Sequence, residues 1–181
     1  MIFILPMWMN FMLRTLAWRL ILLNNGILNQ ILTMLGFGKV HLMNTIWAVI
    51  LGTVYDYLPF MVLPIYNALV KIDNDVISAA QDLGAGQWTI LRRIIIPLSI
   101  PGVVSGITMV MVPSISEFVI ASMLGGGKVY LIGNVIEQAF NSGYADIHAG
   151  SGLSLSLMVL ILISMVIYRF FDGEEGESSL W

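Results

Sequence analysis

Two carboxylates in this 181-residue chain stand where a carboxylate is costly. Asp56 lies in "VYDYLPF" (Val54 to Phe60) and Glu117 in "SISEF", each inside a long apolar run. An acid at bilayer depth normally faces protein or water rather than lipid. Two acids facing one cavity would suit a di- or polyamine, whose ammonium groups pair with carboxylates and avoid basic linings. Tyr55, Tyr57 and Phe118 flank them and would add cation–π contacts of roughly 0.5–2 kcal/mol. Asp56, Tyr57, Glu117 and Phe118 are therefore the candidate lining of a cargo route. A structural role is equally open for Asp56, which would cap a helix break near Pro59 or pair with a buried arginine such as Arg14. A role of the same kind is open for Glu117.

Other chemistries fit less well. An intramembrane aspartyl protease needs two carboxylates sharing a proton, with the second in a G-x-G-D setting, and the chain has Ser116-Glu117 there instead. No H-E-x-x-H is present, and His41 and His148 are isolated, without metal-ligand spacing. The stretch "LGGGKV" (Leu124 to Val129) is not a phosphate loop: Ser122 stands where the first glycine belongs, and Val129 follows the lysine. It reads as a turn. There is no cysteine, which excludes disulfides and thiolate metal sites.

The elements that must position these residues are set by composition. The chain is 58% hydrophobic and 10% charged, against about 25% charged in a soluble domain, so lipid must cover much of it. A formal charge of −3 gives no basic face for nucleic acid. A crossing helix needs about 20 apolar residues. Runs of that kind occupy 1–23, 46–70, 98–124 and 153–171. The first contains Arg14 and Arg19 and reads as the end of one span running into an interfacial helix. The second is interrupted by Asp56, Pro59 and Pro64, and the third contains Pro101, Gly106 and Pro113. Tyr168 and Arg169 mark an interface at the end of the fourth. The expected fold is all-α, one polytopic helical bundle over 1–171, followed by a disordered acidic tail, 172–181. "AGSGLSLSL" (Ala149 to Leu157) has small residues spaced for close helix packing. "LIGNVIEQAF" (Leu131 to Phe140) is an amphipathic helix. Lysine and arginine counts on the two sides do not decide the orientation.

Between the second and third runs lies the interval 72–97, polar and helix-forming. Asp73 is placed to cap a helix, and Val76, Ala80 and Leu83 then fall on one face. Gly84 suits the left-handed turn that ends helices. A second helix would run from Gly86 or Gln87 through Arg93, with Arg92 and Arg93 at the end that favours cations. Pro97 would stop it and begin the next span. Two such short helices bury little by themselves and need a partner surface.

This hairpin resembles the cytoplasmic loop of binding-protein-dependent ABC importer permeases, E-A-A, three residues, G, nine residues, I-x-L-P. Here Ser78-Ala79-Ala80 is followed by Gln81, Asp82 and Leu83, then Gly84; Ala85 to Arg93 lead to Ile94-Ile95-Ile96-Pro97. Ser78 replaces the glutamate, removing one anionic contact, and Ile96 replaces the leucine. Over essentially the whole chain the sequence is similar to permeases of spermidine/putrescine importers. The stretches that carry this include "ILPMWMNFMLRTLAW", "GTVYDYLPFMVLPIYNAL", "LGAGQWTILRRIIIPLSIPGVVSG" and "EFVIASMLGGGKVYLIGNVIEQAF".

The resemblance implies a multi-pass protein of the cell inner membrane, of the type I importer permease fold. It implies that the hairpin and "DGEEGE" are cytoplasmic and that residues 20–45 and 125–150 face outward. Its partners would be membrane lipid, a second permease subunit, two ATPase subunits, an extracytoplasmic substrate-binding protein and a polyamine. The hairpin would dock into a cleft of an ATPase subunit. Ala80 and Gly84 would be foremost there, with Ser78, Ala79 and Asp82 beside them, Gln87, Trp88 and Arg92 next, and Pro97 closing the motif. No catalytic residue and no cofactor are implied, since ATP hydrolysis belongs to a separate subunit. The alternatives are a permease for another small solute and a chain that lacks its N-terminal part and cannot assemble. The latter expectation arises because such permeases carry more spans than the four read here. A protease would cleave without partners, and a passive channel would work without nucleotide.

Overall fold

The structure, a computed structural model, describes residues 8–141 and 146–177, with side chains through residue 166. Every regular element in them is helical: α1 (Phe11–Leu22), α2 (Ile27–Met34), α3 (Ile46–Val70), α4 (Asn74–Asp82), α5 (Gln87–Ile90), a π-helical turn (Leu91–Ile95), α6 (Ile96–Ile115), α7 (Val119–Gly125), α8 (Ile132–Asn141) and α9 (Ile147–Glu177). Among the described residues three helical runs are long and apolar enough to cross a membrane: Ile46–Val70, Gln87–Ile115 and Ile147–Val166.

These runs differ in their bounds from the expected spans. The expected first span, 1–23, is described only from residue 8. There α1 has 12 residues, with Arg14 and Thr15 buried, and about 20 are needed to cross; residues 1–7 lie outside the described residues. The second span forms as expected, but Pro59 and Pro64 do not interrupt it, and α3 is continuous over 25 residues. Each proline deletes one N–H from the ladder, a loss that helices in membranes tolerate when neighbours and local adjustments compensate.

The third span is displaced. Helix runs unbroken from Gln87 to Ile115, so Pro97 does not divide the hairpin's second helix from the span. The π turn explains this. The Ile96 N–H reaches back to the Leu91 carbonyl, an i→i−5 bond that widens the turn just before Pro97. Proline needs no acceptor for its own nitrogen, and the wider turn relieves the clash its ring makes with a preceding carbonyl. The apolar run expected to continue to 124 instead breaks at Ser116–Phe118, which puts Glu117 in a turn and not within a helix. The fourth helix begins at Ile147, before the expected 153, and its backbone continues to Glu177. The rest of the expected tail, 178–181, and the side chains of Tyr168 and Arg169 lie outside the described residues.

Two compact units divide the chain. The first holds the residues through Pro59 together with Val112–Ile161. Its apolar core is Leu22, Ala48, Val49, Ile120, Ala121 and Leu124, with Phe11, Trp18 and Leu131 among the residues packed around it. Gly52 of α3 permits this: a Cβ there would lie 2.5 Å from Leu124 Cδ1 and 3.0 Å from Ile120 Cγ2. Trp18 meets Tyr55 edge to face, with ring centroids 5.2 Å apart.

The second unit holds Phe60–Met111 with the residues from Leu162. Here the C-terminal half of α3 lies close against α6. A Cβ at Gly102 would stand 2.6 Å from Ala68 Cβ, and one at Gly106 2.8 Å from Met61 Sδ. Small residues at a crossing allow the close backbone approach on which helix association in lipid depends. The unit also carries the hairpin of α4 and α5.

Candidate functional site

The hairpin is built by local rules. The Asp73 carboxylate accepts from the Asp75 N–H at 3.0 Å and caps α4. At the other end Leu83 N–H donates to Ala79 O, Gly84 N–H to Gln81 O at 2.9 Å and Ala85 N–H to Ala80 O at 3.0 Å. The last two bonds form a Schellman motif, which requires its first residue past the cap to be left-handed. Gly84 is that residue, at φ +80°. A side chain with a Cβ would be strained there, although the space beside Gly84 is open.

Once formed, the hairpin buries almost nothing of itself. No residue of α4 is buried; Leu83 is 89% exposed and Trp88 73%. Ile90 alone of α5 is buried. The Ser78 hydroxyl donates to the Asn74 carbonyl of its own helix at 3.0 Å, where the motif has an acid. The sequence-predicted residues Ser78, Ala79, Ala80, Asp82, Gly84, Gln87 and Trp88 thus lie together on one short hairpin, and Arg92 and Pro97 follow on the continuous helix.

The predicted cargo residues lie in the first unit, and their carboxylates are already engaged. Asp56 is 1% exposed. Its Oδ1 is ion-paired with the Arg14 guanidinium, and Thr15 Oγ1 stands 3.4 Å from its Oδ2. Of the readings open from sequence, this is the pairing with Arg14. Glu117 is 7% exposed. One of its oxygens accepts from the Tyr57 hydroxyl at 2.8 Å and the other from the Ile120 N–H at 2.9 Å. It therefore satisfies an N–H in the first turn of α7, one of the donors a helix start leaves open, and ties that turn to α3.

Glu117's neighbours point elsewhere. Ser116 and Phe118 line a cavity of about 390 Å³, whose other walls come from α8 and the early turns of α9. Asn134 fixes α8 beside the break. Its amide donates to Phe118 O at 3.0 Å and Ser122 Oγ at 2.8 Å, and its oxygen accepts from Leu131 N–H at 3.1 Å. Sequence reading missed Asn134. The available signal was an amide in the first turn of the amphipathic helix, three residues after Leu131, the spacing of a side chain that caps its own helix.

The remaining motifs are placed simply. Leu124 to Val129 forms the end of α7 and a turn, with Gly126 at φ +56° and Gly127 at φ +73°. His41 Nδ1 is 2.8 Å from Asn24 Oδ1 at the surface. No group of three metal-ligating side chains occurs among the described residues. Of the small residues in 149–157, Gly150 packs on the Phe140 ring, while Gly152 has open space.

Comparison with known proteins supplies the rest. Residues 1–174 match the family described as binding-protein-dependent transport system inner membrane component. The spermidine/putrescine transport system permease protein PotB of Haemophilus influenzae is 40% identical over 167 residues, covering 91% of this chain and 58% of the relative. PotB of Escherichia coli is 38% identical over 167 residues, covering 91% of this chain and 60% of its own length. PotC of Haemophilus influenzae, also a spermidine/putrescine permease protein, is 31% identical over 125 residues, covering 68% of this chain and 49% of its own. A chain in the crystal structure of a bacterial alginate ABC transporter, in complex with an alginate pentasaccharide-bound periplasmic protein, superposes with a TM-score of 0.65 at 16% identity. The match covers 92% of this chain and 60% of that one, and the likeness is one of fold. This chain spans about three-fifths of the length of the PotB relatives it matches. Three apolar helical runs long enough to cross a membrane, no strand among the described residues, and a family match over nearly the whole length agree: the chain belongs to the family of binding-protein-dependent transport system inner membrane components.

Proposed function

We propose that this chain is a permease subunit of an ATP-driven importer of polyamines of the spermidine/putrescine class, located in the inner membrane. The observation that carries the reading is the 40% identity to a spermidine/putrescine permease protein across 91% of the chain. The exposed hairpin supports its coupling half. A preformed two-helix surface with Leu83 and Trp88 in the open is what a docking element for an ATPase subunit requires.

In this reading the subunit hydrolyses nothing. Two ATPase subunits would draw the hairpin and its counterpart on a second permease subunit together, switching the cavity between outward and inward access. Energy enters only as differential contact with the two states. Ala80, Gly84 and Trp88 meet the ATPase, with Ser78, Ala79, Asp82, Gln87 and Arg92 around them. The hairpin and the C-terminus lie on the cytoplasmic side, and an extracytoplasmic binding protein delivers the amine. Of the pathway residues, Phe118 meets the cargo, Tyr57 and Glu117 hold the turn that carries it, and Asp56 is neutralised by Arg14.

The test is uptake of labelled spermidine and putrescine in cells without their own importer, supplied with this chain, its upstream reading frame and its neighbouring subunits. Gly84→Asp is expected to abolish uptake while the protein still inserts, because it distorts the reversal and puts a charge on the docking surface. Normal uptake by Gly84→Asp would end the docking proposal. Uptake of neither amine by the wild type would end the polyamine one.

A further inference from the structure

We propose that the cavity walled by α8, the Ser116–Phe118 break and the first turns of α9 is a binding site for one ammonium end of an alkylamine, with Glu137 as its counter-ion. The polyamine reading motivates the choice of cargo, so the site deepens that reading; its chemistry stands on the lining.

One stripe of α8 builds the long wall. Gly133, Ile136, Glu137, Phe140 and Asn141 all line the cavity, at the three- and four-residue steps that share a helix face. Phe118 from the break and Ser154 from α9 stand among the other lining residues. A stripe turned toward neighbouring elements is normally apolar, so an acid in its middle calls for a partner. Glu137 accepts from Asn141 Nδ2 at 3.0 Å, a neutral donor on its own helix. Among the described residues no lysine, arginine or histidine forms an ion pair with it.

The lining offers acceptors and almost no donors. Ser116 Oγ donates to Pro113 O at 3.2 Å and Ser154 Oγ to Gly150 O at 2.9 Å. Each hydroxyl proton is thereby engaged within the chain, and the oxygen lone pairs remain. Glu137 adds a carboxylate, and Phe118 and Phe140, 39% and 43% exposed, add aromatic faces. A ligand that complements this set is cationic, rich in N–H and free of acceptors, which describes an ammonium group. The lining contains no basic residue, which disfavours anions. A guanidinium is best held by both oxygens of a carboxylate, and here one is shared with Asn141, so a compact ammonium fits better. Ile136 and Leu157 leave apolar wall for methylene groups. The volume of about 390 Å³ lies within the range of small-molecule sites, about 300–1,000 Å³. A single carboxylate sets the capacity at one ammonium.

Equilibrium binding of labelled putrescine to the purified full chain in lipid nanodiscs tests this. The wild type is expected to bind, n-butylamine to compete, and n-butanol, its neutral counterpart, not to compete. Glu137→Gln should weaken binding by about tenfold or more, as loss of a charge-assisted contact does. Glu137→Asp should retain part of the affinity. Ser154→Leu, which fills the cavity from α9 without touching the acid, should weaken binding independently, and an unchanged thermal melt shows that each variant is folded. Absence of amine binding by the wild type, equal affinity in Glu137→Gln and Ser154→Leu, or competition by n-butanol matching that of n-butylamine would each overturn the site. The same variants in the assembled importer separate the two proposals. Binding that depends on Glu137 without polyamine uptake keeps the site and removes the function. Polyamine uptake with unchanged binding and transport in both variants keeps the function and removes the site.

Discussion

The polar groups of the first unit and the apolar groups of the hairpin in the second are mirror cases. In the first unit the buried charges and hydrogen-bonding groups are met from within. Asp56 has Arg14, Glu117 has Tyr57 and the Ile120 N–H, and Asn134 closes three contacts of its own. No buried side-chain nitrogen or oxygen among the described residues lacks a partner. In the hairpin the backbone is satisfied and the side chains are not: large apolar groups stand in the open on a helix pair that buries no residue of α4. A buried polar group without a partner is expensive, so the first region stabilises the fold. An exposed apolar group costs the isolated chain little, so the second can be kept for a partner.

Stability measurements on single variants can break this comparison. The largest effect is expected at the ion pair. Arg14→Met leaves the Asp56 carboxylate buried without its counter-charge, and unfolding stability in detergent should fall by about 3–5 kcal/mol. The double variant Arg14→Met with Asp56→Leu should recover most of it. A double variant as unstable as the single one would show that the charges do not act as a pair. Next, Asn134→Ala removes the amide that joins α8 to the break, and a loss of about 1–3 kcal/mol follows from the polar groups left unpaired. A denaturation midpoint equal to wild type would remove that role. The smallest change in stability belongs to the hairpin. Leu83→Ser and Trp88→Ala should each stay within about 0.5 kcal/mol of wild type, while, on the proposed docking, pull-down of an ATPase subunit weakens. A large loss of stability in either would mean that these side chains pack within the chain, and the contrast between the regions would dissolve.

Sequence alone went furthest where the physics is local. The Asp73 cap and the left-handed Gly84 depend on residues within a few positions of one another, so their types and spacing were enough. The pairing of Arg14 with Asp56 spans 42 positions; sequence could name the candidates but could not choose between a cargo acid and a neutralised one. The break at Ser116–Phe118 was marked only by Pro113 and the polar Ser116-Glu117 pair, and the apolar residues on both sides let the run read as one span. What creates the turn is Glu117 holding an N–H of α7 while bonded to Tyr57 on α3. The π turn was hidden for the opposite reason. Pro97 is a strong stop signal, and only a change in hydrogen-bond register upstream lets the helix pass it. Glu137 went unassigned because an acid on an amphipathic helix normally faces water, and its place on the lined stripe depends on where the Ser116–Phe118 break and α9 sit.

The two backbone bonds that close the reversal at Gly84 also bear on kinetics. They are made within the chain, so the hairpin is already shaped before any partner meets it. Meeting it would then require little ordering of loose chain, a cost that otherwise slows and weakens association. In the proposed docking role, a ready-cast knuckle of this kind would be seized and released at each turn of a cycle without folding and unfolding between strokes.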